Sequence, residues 1–230
     1  MFKKRLPAMA AMALFAPAVC ASAVTVPFTE EFATNASGWV ANTTNVLTWL
    51  PTGGVTNGSH ISTTTTVDTN GFGTIIFRGN NTNDASGDAF VGNWLAGGVT
   101  LFTAYVRHDA PVALNFYVRL DAGSGRAASS SPISIEPNEW VLISLPIIDS
   151  LGTNGVWQSY GAATSFAQIF TNIQNVQIAL DAGQPPAAAG NTYTVGLDQV
   201  GIVPEPQTVA LLGLAALALP ALRFWHRRRN

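Results

Sequence analysis

Apolar and polar side chains alternate along most of the chain between residues 24 and 203. The clearest example covers residues 114–120, where Leu114, Phe116, Val118 and Leu120 fall on one face and polar residues fall between them. Turn-forming Asn-Gly pairs separate such segments, and long charged helical stretches are missing. The pattern predicts an all-β domain.

We predict about nine strands in this domain, and together they indicate a β-sandwich. Residues 98–108 and 114–120 are expected to form an antiparallel hairpin around the turn that begins at Asp109. One short helix is predicted over residues 165–173, capped by Ser165. Trp39 and Trp140 are expected in the core. The predicted strands are residues 24–29, 46–50, 60–67, 74–78, 98–108, 114–120, 140–145, 176–180 and 192–202.

The N-terminus has the three parts of a secretory signal peptide. A basic start precedes an apolar segment over residues 6–19, which is followed by small residues at Ala21 and Ala23. Cleavage after Ala23 by type I signal peptidase would remove residues 1–23. Cys20 leaves a lipoprotein open as an alternative. If Cys20 is removed with the signal peptide, no cysteine remains, which excludes disulfides and thiolate metal sites.

The C-terminus has three parts as well: a proline-containing motif, an apolar stretch over residues 209–222 and a basic tail. The apolar stretch has 14 residues, fewer than the roughly 20 that span a bilayer core. We therefore expect a short hydrophobic helix in the inner membrane; a permanent anchor and a core helix remain alternatives. The flanking residues are Val203, Pro204, Glu205 and Pro206 on one side and Arg223, Arg227, Arg228 and Arg229 on the other.

This order of parts resembles the PEP-CTERM sorting signal of exopolysaccharide-producing Gram-negative bacteria. The resemblance covers residues 203–230 and implies processing by an exosortase. It further implies an exported protein, held in the inner membrane in transit and then delivered to the cell envelope, the cell surface or the extracellular matrix. The remaining residues 24–202 would form the exported domain.

The charge of residues 24–203 narrows the range of partners. This segment has four arginines, no lysine and 12 acidic residues, a formal net charge of −8. Nucleic acids require clustered cations. Nucleic-acid binding is therefore not expected.

The domain also resembles galactose-binding-like or laminin-B-like jelly rolls. The resemblance rests on residues 29–32, on Ser37-Gly38-Trp39, on the central strand pair, on Glu139-Trp140 and on the closing residues 196–200. In such domains acidic residues of the first and last strands often hold a structural calcium ion with backbone carbonyls. The positions that match here are Glu30, Glu31 and Asp198; solvated carboxylates at strand ends are the alternative.

Two candidate sugar-binding surfaces follow from the positions of aromatic and planar polar residues, since sugar rings stack on aromatic faces. The first consists of Asn115, Tyr117 and Arg119 on one strand and Arg107 on its predicted hairpin partner. The second is Trp157 with Tyr160. The alternatives are ordinary cross-strand neighbours for the first set and a core position for Trp157.

No catalytic residue is predicted. His60 and His108 do not form a metal-binding pair, and a Gly-x-Ser-x-Gly motif is absent from the sequence. The sequence thus favours a non-enzymatic exported protein that binds extracellular polysaccharide. A surface enzyme acting on polysaccharide and a calcium-dependent structural component of the matrix are the alternatives.

Overall fold

A computed structural model describes residues 22–41, 45–68, 73–123, 125–152, 155–161 and 165–204. These residues form two antiparallel sheets and one short α-helix, which confirms the predicted all-β sandwich. The elements are β1 (Phe28–Glu30), β2 (Val40–Ala41), β3 (Thr48–Leu50), β4 (His60–Thr66), β5 (Ile75–Asn80), β6 (Leu101–His108), β7 (Leu114–Asp121), β8 (Gly125–Ser129), β9 (Ile133–Ile135), β10 (Val141–Pro146), β11 (Trp157–Gly161), α1 (Phe166–Phe170), β12 (Asn175–Leu180) and β13 (Thr192–Val203).

Each sheet contains strands from distant parts of the chain. The six-stranded sheet has the order β10, β6, β13, β4, β3, with β1 also paired to β13. The seven-stranded sheet has the order β11, β8, β7, β12, β5, β2, with β9 also paired to β7. The inward side chains of both sheets make one core, as expected for alternating strands packed face to face.

The predicted hairpin between the strands now labelled β6 and β7 is wrong. β6 pairs with β10 and β13, whereas β7 pairs with β8, β9 and β12 in the other sheet. Apolar and polar residues alternate in both strands, but the strands are not hydrogen-bonded to each other. Their apolar faces meet across the core, where the His108 and Phe116 rings stack at a centroid distance of 5.9 Å. Alternation predicts which face is buried and does not identify the pairing partner.

The structure confirms the predicted short helix, which begins directly after its predicted cap, Ser165. The Ser165 side chain accepts from the Gln168 backbone N–H, and the Gln168 side chain accepts from the Ser165 N–H, so a capping box starts α1. Phe166, Ile169 and Phe170 are buried. The helix ends at Phe170, earlier than predicted, because Ile173 leaves it to form a bridge with Gly92.

The described residues form more strands than the nine predicted. The missed strands β2, β8, β9 and β11 are short, and β8 has the sequence GRAAS, without β-branched or aromatic residues. Trp39 is in the core, as predicted, at 3% exposure. Trp140 is not: it is half-buried, with its ring edge against His60 at 5.2 Å and its Nε1 donating to the Gly53 carbonyl at 2.9 Å.

Most of the two predicted terminal signals lies outside the described residues. Residues 1–21, which include Ala21, and residues 205–230, which include the hydrophobic stretch and the basic tail, are not described. Ala23 forms an isolated bridge with Asn93. β13 ends at Val203, and Pro204 follows it directly. In the part of the chain that is described, no helix is both long enough and apolar enough to cross a membrane.

Candidate functional site

The outer face of the seven-stranded sheet, turned away from the core, is the strongest candidate site. The strand register aligns six of its residues across the sheet. Neighbouring strands lie about 4.8 Å apart, so the row is roughly 24 Å long. From β11 to β2 the row is Gln158, Ala128, Arg119, Gln177, Arg78 and Val40.

A cavity of about 250 Å³ opens at one end of this row. Inside it, Arg119 Nε donates a hydrogen bond of 2.6 Å to the Tyr160 hydroxyl, and its guanidinium carbon lies 5.2 Å from the centre of the Tyr160 ring. The side chain reaches β11 because the intervening residue on β8 is the small Ala128. We call this space the tyrosine–arginine cavity; it is lined by Tyr117, Arg119, Ala128, Ser129, Gln158, Tyr160 and Asp181.

Tyr117 and Asp181 form one wall of the tyrosine–arginine cavity. Burial, with the charge of Asp181 as the smaller cause, raises the pKa of the Tyr117 hydroxyl, so this group remains a neutral O–H donor at ordinary pH. The Asn115 carbonyl fixes the neighbouring loop, since it accepts from the Asp181 N–H at 2.9 Å and from Gln184 Nε2 at 2.5 Å. Asn115 thus positions the wall of the cavity and is absent from its lining.

A second cavity, of about 450 Å³, lies toward the other end of the row. It is rich in amides, and its cation is Arg78. Between the two cavities stands Gln177, which is only 5% exposed although it points away from the core. We call this space the asparagine cavity; it is lined by Trp39, Val40, Ala41, Asn45, Leu47, Arg78, Asn80 and Asn83.

The structure brings parts of the two predicted surfaces together and places two of their members elsewhere. Tyr117 and Arg119 from the first surface meet Tyr160 from the second in one cavity. Arg107 does not join them, because β6 belongs to the six-stranded sheet. Trp157 does not either: it is fully buried, its Nε1 donates to the Pro146 carbonyl at 2.8 Å, and its ring packs on Phe170 at 5.5 Å.

Arg107 instead lines a separate cavity of about 270 Å³ on the outer face of the six-stranded sheet, beside His60 and Trp140. Burial, followed by the charge of Arg107, lowers the pKa of His60, so the imidazole is neutral near pH 7. His60 Nδ1 has no hydrogen-bond partner among the described residues. This atom is enclosed, and a ligand in the cavity would not reach it without movement of the ring.

The three residues predicted to bind calcium lie near each other, but their oxygens are partly occupied. Asp198 is 2% exposed, and its two carboxylate oxygens accept from the Val55 and Gln199 N–H groups at 2.8 and 2.7 Å. Glu30 Oε1 accepts from the Phe32 N–H at 2.7 Å. Burial raises the pKa of Asp198 despite these bonds, and the charge of Glu31 contributes to the rise.

Calcium binding stays a prediction. Within the described ranges no three His, Cys, Asp or Glu side chains are placed to hold a metal ion, although backbone carbonyls also serve calcium. If an ion relieves the repulsion between Glu31 and Asp198, a chelator will lower the melting temperature of the purified protein. The Asp198→Asn variant should lose that response. An unchanged melting temperature for the unsubstituted protein with chelator would contradict the prediction.

Sequence comparison gives the chain no family. No protein-family model matches it, and no curated protein matches it.

Solved structures do resemble it. Part of an exo-β-agarase superposes with a TM-score of 0.53 at 10% identity, covering 76% of this chain and 25% of the agarase. The CBM22-GH10 modules of a Clostridium thermocellum endo-1,4-β-D-xylanase give 0.46 at 15% identity, covering 80% and 29%. A family 11 carbohydrate-binding module of a Clostridium thermocellum cellulase gives 0.45 at 12% identity, covering 80% and 97%.

The superposition on the agarase shows that this chain shares the β-sandwich fold of that part of the enzyme. The chain spans about a quarter to a third of the length of the agarase and xylanase chains, so it corresponds to one part of those proteins. At these identities the comparison assigns no ligand and no residue role.

Proposed function

We propose that this chain is an exported, non-enzymatic protein that binds extracellular polysaccharide on the outer face of its seven-stranded sheet. The observation that supports this is the Arg119–Tyr160 pair beside Tyr117 over an open cavity. Aromatic rings offer stacking surfaces to sugar rings, and guanidinium and amide groups donate fixed hydrogen bonds to hydroxyls. The row of residues is long enough for several sugar units.

The surroundings of the titratable groups favour binding over hydrolysis. Glycoside hydrolysis ordinarily uses two carboxyl groups that flank the scissile bond. The described lining of the tyrosine–arginine cavity provides one, Asp181. The next acidic residue on this face, Asp121, is paired with Arg126 at 2.9 Å. His108 is 1% exposed, with Nε2 bonded to the Ile135 carbonyl at 2.8 Å, and is out of reach of a substrate.

The test is retention without cleavage. The full-length protein, kept in a non-ionic detergent, is passed over the host's immobilised extracellular polysaccharide, and new reducing ends are counted in the same sample. Retention with no new reducing ends is expected. Release of fragments would instead establish the surface enzyme, and absence of both retention and fragments would contradict the proposal.

We also propose that residues 203–230 direct sorting and exosortase processing. The structure sharpens the truncation that tests this. Val203 of β13 pairs with Leu101 of β6, and the Val203 carbonyl accepts from the Thr100 N–H at 3.0 Å. Deletion should therefore start at Glu205, which leaves the strand intact.

The truncated protein is expected to lose C-terminal processing and to change its distribution among membrane, surface and medium fractions. Immunoblots of those fractions measure both effects. A Gln207→Ala variant, just outside the Val203–Pro206 motif, is the matched control. Unchanged processing and distribution of the truncated protein would refute the sorting proposal.

A further inference from the structure

The cations of the domain are unevenly distributed between its two sheets. Of the four arginines in residues 24–203, three lie on the seven-stranded sheet and one, Arg107, lies on the other. This concentration is unexpected in a segment whose formal net charge is −8. The same face also has two acidic residues, Asp121 and Asp181, so its arginines outnumber its described carboxylates by one.

Two of these arginines form no ion pair with a described residue. Among the described residues the single ion pair is Arg126 with Asp121, so neither Arg78 nor Arg119 is neutralised by a described carboxylate. Arg119 donates from Nε to the Tyr160 hydroxyl, and within the described ranges its other guanidinium N–H groups have no hydrogen-bond partner. Both arginines are half-buried on this face.

The spacing of the two cations suits a ligand with repeated charges. Arg119 and Arg78 are each paired with Gln177 on β12, one on either side. Two strand spacings place their backbones roughly 10 Å apart. We call these three residues the arginine row. Asp181 follows Gln177 by four residues, roughly 13 Å along the strand direction, and it lines the tyrosine–arginine cavity together with Arg119.

We propose that the arginine row binds the anionic groups of an acidic polysaccharide, either uronate carboxylates or sulfate esters. The inference rests on the proposed function and adds the chemical class of the ligand. Guanidinium groups bind planar oxyanions through two parallel hydrogen bonds, and a neutral glycan offers no such group. The tyrosine–arginine and asparagine cavities on either side of Gln177 receive the sugar rings that carry these charges.

The test compares one polymer in two charge states. The full-length protein in non-ionic detergent is titrated with polygalacturonate, with the same polymer after chemical reduction of its carboxylates, and with a sulfated galactan. At least one anionic polymer should bind tenfold or more tightly than the reduced one, and its affinity should fall as sodium chloride is added. A preference between the two anionic polymers identifies carboxylate or sulfate as the group bound.

Two variants test whether the acidic polymer binds at the arginine row. Arg78→Gln, which keeps a planar hydrogen-bonding end, should weaken binding of the acidic polymer about tenfold, because it loses hydrogen bonds to a charged group, and should weaken binding of the reduced polymer by a smaller factor. Arg107→Gln, the matched control on the other sheet, should have no effect. Equal weakening by the control would contradict the assignment to this face.

The two proposals fail in different ways. Equal affinity for the acidic and the reduced polymer contradicts the anionic ligand and leaves polysaccharide binding standing. No binding to any of the three polymers, together with no retention on the host polysaccharide, contradicts the proposed function and the anionic ligand alike. Binding of the host polysaccharide with none to either anionic polymer contradicts the anionic ligand only.

Discussion

Replacing Arg119 with alanine should weaken polysaccharide binding by roughly ten- to a hundredfold, since hydrogen bonds to a charged group contribute about 1.5–3 kcal/mol. Arg119 is the central contact because it also holds Tyr160 through its Nε at 2.6 Å. The substitution thus removes a donor and releases an aromatic ring. Affinity is measured by titration calorimetry with fragments of the host polysaccharide.

Two variants of Tyr160 separate these contributions. Tyr160→Phe keeps the stacking surface and loses the hydroxyl that accepts from Arg119, so a smaller loss of affinity is expected than with Tyr160→Ala. Tyr105→Ala, which alters an outward residue of β6 on the other sheet, is the control and should bind normally. An Arg119→Ala variant that binds as tightly as the unsubstituted protein would place the ligand elsewhere.

Trp157→Ala should destabilise the fold by about 3–5 kcal/mol, the usual cost of truncating a buried aromatic side chain. Trp157 is completely enclosed and packs on Phe170 at 5.5 Å. Its loss also leaves the Pro146 carbonyl without the indole donor. Urea unfolding followed by circular dichroism measures the free energy of unfolding.

Trp157→Phe keeps the variant testable if the alanine protein does not fold. It should lower the melting temperature moderately and leave the affinity for polysaccharide unchanged, because the indole does not reach the outer face. Normal stability with lost binding would show instead that Trp157 contacts the ligand, as the sequence had suggested.

The sequence predicted well what depends on neighbouring residues. Alternation over residues 114–120 identified β7 and its buried face, and the pattern after Ser165 identified α1. Both rest on local rules, namely the two-residue period of a strand and the capping of a helix. Hence the all-β class, most of the longer strands and the short helix could be predicted.

Strand pairing could not be predicted, and the errors about the site follow from it. Arg107 was assigned to the wrong surface because β6 and β7 are adjacent in sequence but belong to different sheets. Tyr160 and Arg119 are 41 residues apart, and no local signal joins them. The same holds for Arg78, Gln177, Gln158 and Asp181, which reach the face through long-range register.

Trp157 shows a different limit of sequence reasoning. A tryptophan among glycine and polar residues is compatible with both a binding loop and a core position. The choice depends on whether another element covers the ring, and here α1 and the strand end at Pro146 do so. Only the tertiary structure contains that information.

The four tyrosines of the chain permit one decisive measurement. Tyr117 and Tyr160 lie on the seven-stranded sheet, whereas Tyr105 and Tyr193 lie on the six-stranded sheet. Fluorotyrosine labelling therefore gives two resonances for each sheet, assigned by single Tyr→Phe variants. During titration with fragments of the host polysaccharide, the resonances of Tyr117 and Tyr160 should shift while those of Tyr105 and Tyr193 stay in place. Shifts confined to Tyr105 and Tyr193, or no shift at saturating fragment, would contradict a binding site on this face.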